Sequence, residues 1–296
     1  GMGAVALYPG ATTVPSVQLF THFPSLRRMR GGGFRVSVPR KTIEASWLKE
    51  QVSHYYVLRE YWARLFAKYG VRVFVSWYKF DGSHCAIADA LEALGGVTAI
   101  YQRSIEFPAV ESGVDADIVF SYSKEGAEVN RLSGSRIRYH VVTGYLGDHR
   151  VALWRETAQG VRASLMQKGA RYILAYFDEN SVDDSRWHTG PEFQRDNYAF
   201  LLEKVLTEPW LGLVLKPKHP STLRKRLGAV SDLLERAIET GRCYIYERGL
   251  FHGSHPPVAA ALAADAAIHG HLCGGTAGLE AALAGVPSLL LDREGW

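Results

Sequence analysis

Residues 263–292 read AADAAIHGHLCGGTAGLEAALAGVPSLLLD, and this stretch decides the fold of the second half of the chain. A short apolar run predicts a strand, and a loop of small residues follows at 269–276. The helical pattern after the loop ends at Gly285, and Pro287 cannot continue it, so the apolar residues up to Asp292 form the next strand. Strand, glycine loop, helix and strand make one βαβ unit.

The start of that helix is suited to an anion. Thr276 fits the N-cap position, and Gly274 and Gly275 let another group approach the backbone closely. Free N–H groups and the positive end of the helix dipole attract a phosphate. Glu280 lies one turn further, where a carboxylate can accept hydrogen bonds from a ribose, as in other nucleotide-binding βαβ units. The alternative interpretation is a capping pair without a ligand.

The composition narrows the class of protein. The chain has 296 residues, 47% hydrophobic and 22% charged, which fits two globular domains and excludes a disordered chain. A net charge of +4 fits an anionic ligand or a membrane surface but is too weak to indicate nucleic acid. The three cysteines are widely spaced, which indicates reduced thiols in a cytosol and no zinc site.

Predicted strands alternate with helices along the whole chain. We therefore expect an α/β fold of two Rossmann-like domains with parallel sheets, residues 1–150 and 151–296. Ligands of such sheets bind beyond the carboxyl ends of the strands, where the loops 81–84 and 143–148 lie in the first domain. The acidic loop 178–184 lacks a calcium-binding pattern, so we interpret it as solvated.

Three ordered segments in the second half carry a resemblance to a known family: KPKHP at 216–220, AADAAIHGH at 263–271 and GGTAGLEAALAGVPSLLLD at 274–292. Together they resemble GT-B glycosyltransferases, in particular enzymes of bacterial surface-polysaccharide assembly in the cell envelope. They are also similar to polyol-phosphate transferases that make teichoic-acid-type polymers. The resemblance is specific over 171–296, and over the first half it concerns the fold only.

The resemblance implies a metal-independent transfer of a sugar from a nucleotide-sugar donor, with no further cofactor. Basic side chains and a helix N-terminus would neutralise the leaving phosphate. The positions that match the family's nucleotide site are Lys216 and His219 near the phosphates, Gly274, Gly275 and Thr276 as phosphate donors, and Glu280 on the ribose. By the same resemblance, His271 would lie near the reacting centre.

An inverting transferase also needs a base in the first domain to deprotonate the acceptor hydroxyl. Asp81 and His84, in a loop after a strand, are the candidates. Their alternative interpretations are a turn residue and the first residue of a helix. The expected partners are the nucleotide-sugar donor and a glycan or lipid-linked acceptor, without nucleic acid. The expected location is the cytoplasm, extending to a peripheral site on the inner face of the membrane.

The sequence also departs from the GT-B pattern. The second domain of that fold continues beyond the strand that ends at Asp292, so we expect the chain to be truncated at its C-terminus. Two alternatives therefore stay open. One is a sugar-nucleotide epimerase of the same fold, and the other is a non-catalytic module that binds a nucleotide sugar or a glycan.

Overall fold

The computed structural model describes residues 43–79, 82–105, 113–178, 191–247, 255–272 and 275–292. The predictions for Asp81, for Gly274, and for the acidic loop beyond residue 178 lie outside these residues. The chain forms two compact units, which are described separately. Unit 1 holds the described residues of 43–101, 113–119 and 134–140, and unit 2 holds those of 102–105, 120–133 and 141–292. The predicted boundary after residue 150 stays a prediction.

Nine α-helices lie in the described residues: α1 (Ile43–Tyr69), α2 (Ser83–Glu92), α3 (Lys124–Leu132), α4 (Arg150–Gln167), α5 (Pro191–Thr207), α6 (Leu223–Leu227), α7 (Ser231–Glu239), α8 (Pro257–Ala261) and α9 (Thr276–Leu283). The nine described strands are β1 (Val73–Ser76), β2 (Val97–Tyr101), β3 (Asp115–Ser121), β4 (Arg136–Val142), β5 (Tyr172–Phe177), β6 (Leu211–Lys216), β7 (Cys243–Ile245), β8 (Ala266–His269) and β9 (Ser288–Leu290). No described helix is both long and apolar enough to cross a bilayer.

Unit 1 is built on a four-stranded sheet in the order β1-β2-β3-β4. Strands β1 and β2 run parallel, with Val73 opposite Val97. The long aromatic-rich helix α1 is continuous and packs on α2 through a core that contains Phe66 and Leu91. Gly70 ends α1 with a φ of 62°, a left-handed conformation that glycine adopts without steric strain.

Unit 2 contains a five-stranded parallel sheet in the order β7-β6-β5-β8-β9. From β5, the next two strands along the chain, β6 and β7, are added on one side of the sheet. The chain then returns to the other side of β5 for β8 and β9. The strand order therefore reverses between β5 and β8, as in doubly wound nucleotide-binding folds.

Both faces of this sheet are covered, because side chains of each strand alternate between two cores. On β5, Ile173, Ala175 and Phe177 face a core shared with α4, α8 and α9. Tyr176, in the same strand, faces the other core, which α5, α6 and α7 cover. The predicted α/β fold with two parallel sheets is confirmed.

Two local predictions need correction. The sequence pattern predicts a single helix over residues 222–239. The structure has two helices there, because Gly228 follows α6 with a φ of 57° and a short 3₁₀ turn precedes α7. At α9, Gly275 occupies the N-cap position and Thr276 is the first helical residue, so the predicted cap is displaced by one residue. The helix ends as expected, with Gly285 at a φ of 83°.

Helices pack on both faces of β5, and this packing predicts which residues of α5 contribute to stability. Leu202 on α5 is fully buried, whereas Phe200 on the same helix is 60% exposed. Leu202→Ala leaves a cavity and should lower the free energy of unfolding by about 2–5 kcal/mol. Phe200→Ala should lower it by less than about 1 kcal/mol. Urea denaturation of both variants checks this, and equal losses would contradict the assigned packing.

Candidate active site

The candidate site lies at the carboxyl ends of β5 and β8, where the strand order reverses. Phe177 ends β5 and pairs with His269, which ends β8, so the residues that follow both strands meet at one edge. The helix after β5 packs on one face of the sheet and the helix after β8 on the other. The N-termini of both helices therefore border one crevice, the usual ligand position in such sheets.

The loop between β8 and α9 is packed tightly against β9. A Cβ atom on Gly275 would clash with Cδ2 of Leu290, so any larger residue there would require this leucine side chain to move. The first turn of α9 therefore lies close to β9. The Thr276 Oγ1 and Glu280 Oε1 atoms in that helix are buried and have no hydrogen-bond partner among the described residues. Buried polar atoms without partners are rare and call for an explanation.

Glu280 is the most unusual group of the site. It is 2% exposed, so the alternative interpretation of a solvated carboxyl beside a capping residue does not hold. Burial raises the pKa of its carboxyl to about 7, against the opposing effects of Arg150, of the hydrogen bond that it accepts from the Val258 N–H, and of Lys216. The carboxyl is therefore held near the midpoint of its titration at neutral pH.

Lys216, the last residue of β6, also belongs to the surroundings of Glu280. Residues alternate along this strand, so Lys216 shares the face of Val214, which packs in the core with α4, α8 and α9. Its Nζ donates to the Pro217 carbonyl oxygen at 3.0 Å. Burial lowers the pKa of the Lys216 ammonium, while the charges of Asp178 and Glu280 oppose that shift.

Asp178 fixes the loop that follows Lys216, and it is not the solvated residue that the sequence suggested. It is 4% exposed and forms an ion pair with Arg226 at 3.1 Å. It also accepts hydrogen bonds from the Tyr198 hydroxyl and the Lys218 N–H. Arg226 donates a further bond to the carbonyl oxygen of His219 at 3.3 Å. These bonds join the ends of β5 and β6 to α6.

The two histidines at the end of β8 are both buried, at 2% for His269 and 3% for His271. The His269 Nδ1 contacts the carbonyl oxygen of His271, which can only accept, so Nδ1 carries the proton. This bond curls the chain as it leaves the strand. It places His271 between the end of β8 and α9, and its predicted role in the reaction stays a prediction.

Two further side chains of unit 2 face Glu280. Arg150 begins α4, and its charge acts on the Glu280 carboxyl. Tyr145 is half-buried, and burial together with the charge of Glu280 raises its pKa to about 12. Its ring packs edge-on against Tyr122 at a centroid distance of 5.3 Å. The charges of Arg150 and Lys216 therefore act on the Glu280 carboxyl, and its charge acts on the Tyr145 phenol.

The predicted base His84 belongs to unit 1, as the second residue of α2. It is 8% exposed, and its Nε2 donates to the carbonyl oxygen of Gly113 at 3.0 Å. The Cys85 thiol lies 3.3 Å from the same nitrogen. The role of His84 as a base stays a prediction.

The structure thus brings Lys216, Gly275, Thr276, Glu280 and His271 to one edge of the unit 2 sheet, with His219 on the adjoining loop. Sequence reasoning missed Arg150 and Arg226. Neither arginine carries a sequence signal of the buried carboxyl on which its charge acts, because Glu280 and Asp178 are distant along the chain. Within the described residues, no group of three or more histidine, cysteine or acidic side chains is placed to hold a metal ion.

No protein-family model matches this sequence, and no curated protein matches it either. Solved structures do resemble it. One is a protein of Listeria monocytogenes with a provisional assignment as a UDP-N-acetylglucosamine 2-epimerase. Its identity is 15% and its TM-score 0.51, over 82% of this chain and 62% of that one. This likeness supports the fold of paired Rossmann-like domains.

Two more structures resemble the chain less closely. The UDP-GlcNAc 2-epimerase of Methanocaldococcus jannaschii, in complex with UDP-GlcNAc and UDP, has 14% identity and a TM-score of 0.48, over 82% of this chain and 66% of its own. HepE of Anabaena, in complex with UDP and glucose, has 12% identity and a TM-score of 0.46, over 78% and 62%. The chain therefore spans about two thirds or less of the length of these proteins.

The raised pKa of Glu280 predicts how stability depends on pH. The folded state holds the proton more tightly than the unfolded state, whose pKa is near 4.5, so stability should fall as the pH rises from 4.5 to about 7. The expected loss is roughly 3 kcal/mol at most. Glu280→Gln cannot ionise and still accepts from Val258, so its unfolding free energy should lack this fall.

Urea denaturation between pH 4.5 and 8 measures the difference between the wild type and Glu280→Gln. The exposed Glu203 on α5 offers a matched control, because Glu203→Gln removes the same charge without a buried site. Parallel curves for the wild type and Glu280→Gln would contradict the assigned environment of Glu280.

The ion pair between Asp178 and Arg226 makes a second prediction. Arg226→Met leaves a buried carboxylate without its cation and should destabilise the protein by about 3–5 kcal/mol. Asp178→Asn added to Arg226→Met should recover much of that loss, since no unpaired charge remains. Thermal and urea unfolding of the single and double variants measure the coupling, and strictly additive losses would contradict it.

Proposed function

We propose that the chain is a glycosyltransferase that takes its sugar from a nucleotide-sugar donor bound in unit 2. The observation that carries this proposal is Glu280, a buried carboxyl with one oxygen unpartnered among the described residues, placed one turn into α9. A carboxylate in this position accepts hydrogen bonds from a ligand diol such as a ribose. The unpartnered Thr276 Oγ1 in the same turn supports a ligand that is anionic next to the diol.

The charges around the site suit such a ligand. Asp178 and Arg226 neutralise each other, which leaves Lys216 and Arg150 as cations against the single, half-titrated Glu280. The local balance is positive, and the N-terminus of α9 adds to it. These groups would stabilise the negative charge that develops on the leaving phosphate, in a reaction that needs no metal ion.

The acceptor side of the proposal rests on unit 1. A glycan or lipid-linked hydroxyl would be deprotonated there by Asp81 or His84, and the sugar would pass to it as the bond to the nucleotide breaks. Assembly of a surface polysaccharide on the inner face of the membrane is the setting that the sequence resemblance suggests. The roles of Gly274, Gly275 and His219 at the phosphates belong to the same proposal.

A sugar-nucleotide epimerase is the second candidate, and the fold likeness to the Listeria monocytogenes protein favours it. An epimerase changes its nucleotide sugar without an acceptor, whereas a transferase needs one. Proton NMR of UDP-GlcNAc incubated with the protein alone separates the two. New sugar signals that keep the nucleotide attached would support the epimerase and contradict the transferase.

A thermal-shift screen tests the shared part of both candidates. A ligand that binds the folded state raises the melting temperature by mass action, so one nucleotide among UDP, CMP, CDP, GDP and dTDP should stabilise the protein selectively. The sugar-bearing form of that nucleotide should stabilise it at least as much. No shift with any nucleotide at millimolar concentration would contradict the proposal.

Two substitutions locate the nucleotide. Glu280→Ala and Lys216→Met should each weaken binding of the selected nucleotide by about tenfold or more, because each removes a charged partner. The exposed residues Glu203 and Lys225 provide charge-matched controls, whose substitution should leave the dissociation constant unchanged. Titration calorimetry measures all four variants, and unaltered affinity in Glu280→Ala would show that the ribose role is wrong.

A further inference from the structure

A second set of polar side chains lies at the switch point, on the face of the sheet opposite α9. Tyr176, near the end of β5, accepts a hydrogen bond from Nδ2 of Asn197 at 3.2 Å and donates its own to Oε1 of Gln194 at 2.7 Å. A tyrosine hydroxyl has a single hydrogen. This chain of bonds therefore turns the Oε1 of Gln194 toward Tyr176 and its Nε2 away from it.

The side-chain amide nitrogen of Gln194 has no acceptor for its hydrogens among the described residues. The residue is 2% exposed, and its Nε2 is buried without a hydrogen-bond partner among the described residues. An amide nitrogen has two hydrogens to donate and no lone pair to offer. The atom can be satisfied only by an acceptor, such as a water, hydroxyl, carbonyl, carboxylate or phosphate oxygen.

Gln194 lies beside the crevice that Glu280 borders, on the other face of the sheet. It is the fourth residue of α5, a helix of 17 residues that packs on the face of the sheet opposite α9. A Cβ atom on Gly270 would lie 2.5 Å from the Tyr176 hydroxyl and 3.2 Å from Gln194 Oε1. The amide group therefore lies against the chain where it leaves β8, between the two strand ends.

We propose that Gln194 Nε2 donates a hydrogen bond to the outer phosphate of a nucleoside diphosphate that lies across the crevice, between the N-termini of α9 and α5. This inference rests on the proposed function and adds a binding residue to it. Glu280 holds the ribose and Thr276 the inner phosphate on one face of the sheet. Gln194 and the first turn of α5 hold the far end on the other face.

The chemistry at α5 favours the outer phosphate over the sugar or the base. Gln194 offers only donors there, and the positive end of a long helix dipole attracts an anion. A nucleoside monophosphate would reach α9 alone, whereas a diphosphate would engage both helices. Substitution of Gln194 should therefore lower the affinity for the diphosphate and leave the affinity for the monophosphate nearly unchanged.

The test compares the affinities of UMP and UDP for the wild type and for Gln194→Glu by titration calorimetry. If the wild type prefers another base, the monophosphate and diphosphate of that base replace UMP and UDP. The carboxylate of this variant still accepts from Tyr176 but replaces the amide donor with a charged oxygen. The affinity for the diphosphate should fall by about tenfold or more, and that for the monophosphate should stay within about twofold. Gln167→Glu, at an exposed position on α4, adds the same charge and should change neither.

Other outcomes separate the inference from the proposed function. Unchanged diphosphate affinity in Gln194→Glu, or equal losses for both nucleotides, would overturn the role of Gln194 and leave nucleotide binding intact. Failure of the wild type to bind any nucleotide would overturn both. If Gln194→Glu does not fold, Gln194→Met, which removes the donor without adding charge, should show the same selective loss.

Discussion

The reversal of strand order between β5 and β8 is the constraint on which the site in unit 2 depends. It sends the helix after β5 to one face of the sheet and the helix after β8 to the other. Two helix N-termini and two strand ends then border one crevice, lined by backbone donors and by whatever side chains end the strands. Asp178 follows β5 directly, His271 lies two residues after β8, and Lys216 ends the neighbouring strand β6.

Burial of charge at this edge costs folding free energy, as is common where a fold carries a binding site. A carboxyl such as Glu280 and an ammonium such as Lys216 both lose hydration, and their mutual attraction offsets that loss only in part. Asp178 and Arg226 differ from Glu280 and Lys216, because they form a direct ion pair and also bond to the backbone of Lys218 and His219. Ligand-binding groups stay incompletely paired until the ligand supplies the missing bonds.

The sequence predicted the strands and the βαβ unit well, because apolar periodicity and the glycines at helix ends are local signals. The position of Lys216, Thr276 and Glu280 at one edge of the sheet could also be predicted, from the βαβ unit and the family resemblance, and their roles stay predictions. The burial of Asp178 could not, since the Arg226 that neutralises it lies 48 residues away on a separate helix. Gln194 and Arg150 were missed for the same reason, because their surroundings are set by strand order.

Glu280 is a buried carboxyl, and we propose that its unpartnered oxygen binds a ligand. Carbon-13 NMR of the glutamate carboxyls over pH 4 to 9, assigned by comparison with Glu280→Gln, measures its pKa directly. The structure predicts a midpoint near 7 in the free protein, which shifts when a nucleoside diphosphate saturates the site. A midpoint near the ordinary value of 4.5, or one that saturating nucleotide leaves unchanged, would contradict the account.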